Sequence, residues 1–127
     1  MIGTKGHKEM MVTEERTAAQ VGSGLVRVLA TPMMIALMEN TCNESLASYL
    51  QEGESTVGTR VDVSHCAATP VGMRVWCDSE VVEVDGRRIV FDVKAYDERG
   101  LIGEGRHERF IVGMERFQAK ADSKLQG

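Results

Sequence analysis

Residues 31 to 50 read TPMMIALMENTCNESLASYL, and the period of this stretch decides the architecture. Pro32 suits the first helical position, where its missing amide hydrogen has no partner to lose, and the Thr31 hydroxyl is placed to cap the turn. Met34, Leu37, Met38, Thr41, Cys42, Ser45 and Tyr49 recur at three- and four-residue intervals. They form one stripe of a helix expected from Thr31 to about Leu50, ending near Gly53. No other segment has so strong a helical period.

Beyond Gly53 the period changes to two. Four runs, at about 55–67, 73–84, 87–97 and 101–113, read as strands. TPVG at 69–72, DG at 85–86 and DERG at 97–100 mark the turns. Strands joined by such short turns are antiparallel. Upstream, the segment from about Lys8 to Val21 opens with a further strand, and LVRVLA at 25–30 alternates weakly. One long helix with an antiparallel sheet is an α+β domain in which the sheet covers the helix. Gly103 and Gly105 leave part of the last strand bare enough for another backbone to approach closely.

The chain of 127 residues has the size of a single domain, 1–127, with a polar tail from about 119 (AKADSKLQG) expected to fray. A net charge of −4 argues against general nucleic-acid binding. No apolar run approaches a membrane span, and no leader-like apolar segment comes after the first lysines. The cysteines, Cys42, Cys66 and Cys77, are odd in number and widely spaced, so they read as reduced and mostly buried, with no zinc or redox spacing. A cytoplasmic location, no metal and no cofactor are the expectations.

Two polar residues sit where the pattern asks for apolar ones. In TRVDVSHCAATPVG, residues 59–72, a period of two puts Thr59, Val61, Val63 and His65 on one face, with Cys66 turned away. Glu39 lies beside the apolar stripe of the helix at Met38 and Cys42. The residues alone leave both open. His65 is a hydrogen-bonded core ring or a working one, and Glu39 reaches water from the stripe's edge or is a working acid. Capping accounts for Thr31, and a strand bulge accounts for Gly58. No nucleophile elbow, phosphate loop or dinucleotide fingerprint is present, so chemistry would rest on an acid, an imidazole and a hydroxyl.

From about Val21 to Phe117 the order of motifs resembles the hot-dog-fold thioesterases, and among them the fluoroacetyl-CoA thioesterase group. TPMMIALMENTC, YLQEGESTVGTRVDVSHCAATPVG and VVEVDGRRIVFDVKAYDERGLIGEGRHERF carry the resemblance. It implies an active site of Thr31 in ATPMM, Glu39 in ALMEN, Gly58 in TVGT and His65 in SHCAATP, with the Gly58 amide near the thioester carbonyl. It also implies hydrolysis of a short or medium acyl-CoA without a cofactor, by a homodimer or a dimer of dimers. A second class, a non-catalytic module that binds acyl-CoA or another metabolite, is separated from it by thiol release. The group's fluoroacetyl-specific member carries an aromatic lid ahead of the helix. Here TAAQVGSGLVRV has no aromatic residue and places Gly22, Ser23 and Gly24 on the approach. Thioester cleavage is therefore expected without selectivity for the fluorinated acyl group.

Overall fold

A computed structural model describes residues 1–127. The strands are β1 (Lys5–Met11), β2 (Glu54–His65), β3 (Arg74–Asp85), β4 (Arg88–Asp97) and β5 (Gly100–Gly113); the helices are α1 (Ala18–Val21), α2 (Thr31–Ser45) and α3 (Met114–Asp122). All neighbouring strands are antiparallel, in the order β1-β3-β4-β5-β2, so β2 is an edge strand.

The helix α2 lies on one face of this sheet. Met34, Leu37, Met38 and Cys42 of its stripe meet Val75, Val81, Ile89, Phe91 and Ile102 in one buried cluster. The stripe gives out sooner than expected: α2 ends at Ser45, a short 3-10 turn comes next at Ala47–Tyr49, and Tyr49 is half exposed. Its start also differs. Ala30 is the extended residue before the first turn, Thr31 is the first helical residue, and no side chain caps the helix. The Thr31 hydroxyl is engaged elsewhere.

β2 breaks its own alternation. Pairing with β5 shifts between Gly58 and Arg60, leaving Thr59 as an extra residue whose hydroxyl donates to the Glu108 carboxylate at 2.7 Å. Thr59 therefore does not share a face with Val61, Val63 and His65. The bulge sets Thr56 and Gly58 on the helix side before it and Val61, Val63 and His65 there after it. The strand stops at His65 because the next two amides, of Cys66 and Ala67, both donate to the Ile102 carbonyl. The polar segment after 119 is helical. It continues α3 and closes in a 3-10 turn at Ser123–Gln126, exposed throughout.

Gly103 faces α2 so closely that a β-carbon there would lie 2.5 Å from Met34 Sδ and 2.6 Å from the Ser64 carbonyl oxygen. At Gly113 a β-carbon would meet nothing within 4 Å. Gly103→Ala is therefore expected to cost about 1–3 kcal/mol, as overpacking against backbone does, and Gly113→Ala about 0.5 kcal/mol or less. Paired thermal melts of the two variants check this contrast.

Candidate active site

Four residues expected to carry chemistry fall into two pairs along α2. At its N-terminal end, Thr31 Oγ1 and His65 Nδ1 share a hydrogen bond of 2.7 Å. His65 is half-buried, its Nε2 is buried without a partner, and burial pushes its pKa below the ordinary histidine value while a backbone contact at Ala67 opposes the shift. The ring is thus held neutral, with Nδ1 committed to the hydroxyl. The pair borders an open depression of about 310 Å³ walled by Ala18, Ser23, Val28, Leu29 and Ala67. Cys66, expected to face away from His65, lies beyond the strand's end and borders the same depression, exposed, whereas Cys42 and Cys77 are buried.

A buried contact holds the loop after His65 to the segment leading into α2. Thr69 Oγ1 donates to Asp97 Oδ2 at 2.7 Å, with both residues buried, while the Leu29 amide donates to the Thr69 carbonyl at 2.9 Å. The Arg99 amide donates to Asp97 Oδ1 at 2.8 Å, so both carboxylate oxygens have a donor. Thr31 and His65 are in this way tied together through backbone as well as through their own hydrogen bond.

Two turns along α2, about 12 Å at 1.5 Å per residue, Glu39 and Gly58 form the second pair. A β-carbon on Gly58 would lie 2.9 Å from Glu39 Oε2, 3.2 Å from His107 Cε1 and 3.4 Å from Arg109 Nη1. The carboxylate thus lies against bare strand backbone. Arg109 Nη1 donates to Glu39 Oε2 at 3.4 Å, and Glu39 with Ala36, Asn40, Asn43 and Arg109 borders a second depression of about 290 Å³. The two pairs make no direct contact with one another within one chain.

Sequence pattern alone does not single out Arg109 and His107, which the structure adds to the site. The Arg109 side chain is 8% exposed against 43% for Glu39. Its Nε donates to Thr56 Oγ1 at 2.7 Å and its Nη2 to the Thr56 carbonyl at 3.0 Å, while Thr56 Oγ1 donates in turn to Asn43 Oδ1 at 2.6 Å. His107 Nδ1 lies 2.8 Å from the Arg60 carbonyl and must donate to it, so Nε2 carries the lone pair that accepts Arg109 Nη1 at 3.1 Å. That tautomer is neutral. Burial lowers the His107 pKa most, the Arg60 carbonyl opposes this, and the neighbouring guanidinium lowers it further. Alternation is the available signal: positions 107 and 109 of β5 fall on the same side as Ile111, which packs on the core.

Residues 12–115 match the family described as fluoroacetyl-CoA-specific thioesterase. The chain belongs to that family. The fluoroacetyl-CoA thioesterase of Streptantibioticus cattleyicolor is 43% identical over 97 residues, covering 76% of this chain and 70% of that protein. A solved structure of fluoroacetyl-CoA thioesterase superposes with a TM-score of 0.93 at 35% identity, over 98% of this chain and 96% of that one. A thioesterase-superfamily member from Thermus thermophilus gives a TM-score of 0.91 at 32% identity, over 99% of this chain and 93% of that one. A hot-dog-like protein from Thermanaerovibrio acidaminovorans gives 0.89 at 26% identity, with the same coverage of 99% and 93%. The fold is the hot-dog fold, and this family member is an acyl-CoA thioester hydrolase. No helix is long and apolar enough to cross a membrane.

The neutral histidines set a pH dependence of stability. Unfolded, both rings protonate near 6.5; folded, His65 and His107 bind their protons less readily. The unfolded chain therefore binds more protons just below that value, and stability falls as pH drops through that window. His7 works in the opposite sense, because the hydrogen bonds its ring donates to the Asp78 and Glu9 carboxylates raise its pKa; its contribution is complete below 6.5 and is lost as pH rises. The parent is expected to melt at a lower temperature at about pH 5.5 than at about pH 7.5. His107→Gln should shrink that difference, as paired melts at the two pH values will read.

Proposed function

We propose that Glu39, Gly58, Thr31 and His65 together hydrolyse the thioester of a short or medium acyl-CoA. The observation that carries this reading is the seat of Glu39. A half-exposed carboxylate rests on glycine backbone at an open depression, oriented by one buried guanidinium. In this scheme Glu39 either attacks the carbonyl carbon directly, with water then opening the resulting anhydride, or takes a proton from the water whose oxygen adds to that carbon. The Gly58 amide donates to the developing oxyanion. As the C–S bond breaks, the proton for the CoA thiolate comes through the partner subunit's His65, held by its own Thr31, because the two pairs do not meet within one chain. Arg109 positions Glu39 without touching the substrate. No cofactor enters the scheme.

The fluoroacetyl-CoA thioesterases carry the likeness over to the acyl-CoA class, while the acyl group is read from the approach to Thr31. That approach holds Gly22, Ser23 and Gly24, then Leu25 and Val26, which are 96% and 64% exposed. Aliphatic side chains on a glycine-flanked loop cover a short chain without distinguishing a fluorine from a hydrogen. The edge strand supports a homodimer. β2 is 12 residues long, its outer backbone groups face no neighbour, and Val61 is 41% exposed beside them. A second copy added antiparallel across a two-fold axis would satisfy that edge and place the Glu39–Gly58 pair at the boundary. Two such dimers paired would give a dimer of dimers. Unpaired cysteines favour a reducing, cytoplasmic setting.

Thiol release from a panel of acyl-CoAs tests the reading, and a folded protein that binds but turns over none of them would assign it to a binding module. Glu39→Gln should lower kcat at least about 100-fold with the melting temperature retained, and His65→Ala should lower it by a comparable order. Parent-like turnover in Glu39→Gln removes the carboxylate from the mechanism. The ratio of kcat/KM for fluoroacetyl-CoA to that for acetyl-CoA should stay within about tenfold of unity, the scale of a small change in an apolar pocket. Light scattering at micromolar concentration should give at least twice the 14.0 kDa chain mass.

A further inference from the structure

We propose that the groove between α3 and the β3–β4 turn holds the nucleotide end of the substrate, the adenine and phosphates of CoA, an inference that rests on the CoA-thioester reading above. The groove, about 410 Å³, is lined by Arg87, Arg116 and Lys120 around Phe117 and Ile111. Arg116 and Lys120 stand four residues apart on α3, so their charges are neighbours on one helix face, an arrangement that destabilises a helix unless an anion sits between them. Neither forms an ion pair with any carboxylate. Arg87, from a different element, reaches Glu54 and the Ile111 carbonyl only at 3.3 Å each.

Three cations gathered at one concavity, in a chain whose net charge is −4, suit a polyanion with several phosphates. Phe117, 46% exposed in the same groove, offers a face on which an aromatic base can stack. The position fits the rest of the substrate. Ile111 of the groove lies two residues beyond Arg109 of the Glu39 depression on β5, about 7 Å along the strand. α3 is held there by the Met114 amide, which donates to the Gly53 carbonyl at 2.9 Å. An anionic membrane is the other surface such a helix could meet, through Met114, Phe117 and Leu125. A flat bilayer has no use for the concavity or for Arg87, and the chain's overall charge opposes it.

The experiment compares the parent, R116A/K120A and F117A, first checked for unchanged circular dichroism. The same acyl group is offered as its CoA thioester and as its pantetheine thioester, which lacks the nucleotide. The parent is expected to favour the CoA thioester in kcat/KM through a lower KM, and R116A/K120A to lose about tenfold of that advantage, the worth of two exposed charge contacts. An advantage of equal size in parent and variant overturns the proposal. Calorimetric titration with adenosine 3′,5′-bisphosphate decides independently of turnover, so it stands even if neither thioester is cleaved. Binding that weakens in both variants supports the groove, and binding that is absent in the parent or equal in all three overturns it. Sedimentation with phosphatidylserine vesicles that depends on Arg116 and Lys120, without nucleotide binding, assigns the surface to a membrane and also overturns it.

Discussion

The seat of α2 on the sheet depends on three missing β-carbons. A methyl group at Gly6 of β1 would lie 2.9 Å from Ser45 Cβ and from the Thr41 carbonyl oxygen, one at Gly58 of β2 2.9 Å from Glu39 Oε2, and one at Gly103 of β5 2.5 Å from Met34 Sδ. These contacts lie near the two ends and the middle of the helix, so its height above three different strands is fixed. Interiors packed to crystal-like density do not absorb such a displacement cheaply. Lifting the helix by the width of a methyl group would part Thr31 from His65 and Glu39 from the Gly58 backbone together. Packing and chemistry share one tolerance here.

Burial of charge is handled in the same economical way. Arg109 is almost wholly enclosed, yet its donors reach Thr56, Glu39 and His107, so the desolvated guanidinium is supplied with acceptors. The neutral state of His107 belongs to that solution, since a proton on Nε2 would turn an acceptor into a second cation. The network reaches α2 a second time, through Thr56 and Asn43. The orientation of Glu39 is thereby set from its own helix and from two strands, while its outer side remains exposed.

Much of this is legible in the letters alone, and the departures share a cause. The helix and the four later strands can be read because apolar periods and turn residues are local signals. Thr31 reads as a cap because a hydroxyl at a helix start serves a backbone amide or a neighbouring ring equally well, and only the fold brings His65 to it. Thr59 reads onto the wrong face because a bulge leaves little trace in a sequence beyond a glycine. Arg109 is not singled out in the sequence, since its partner Thr56 is 53 residues away. The segment from about 119 reads as a loose tail because its composition is polar, although it continues a helix in which Met114 and Phe117 recur at helical spacing. Recognition of the family comes from several separated motifs in order, and the residues it implies are brought together in pairs, not as a single cluster.

The unpaired residue in β2 carries an implication for how this chain can vary. Because side chains on a strand alternate, the bulge at Thr59 acts as a parity switch between the half that bears Gly58 and the half that bears His65. Removing Thr59 alone would restore an uninterrupted ladder with Val61, Val63 and His65 still on the helix side, whereas drawing Thr59 into the ladder would rotate all three to the solvent side. The imidazole would leave Thr31 with no change in its own identity or in that of its neighbours. Sequences sharing this architecture are thus free to exchange letters between Gly58 and His65, but a single residue can be gained or lost there only if a bulge is made or removed with it.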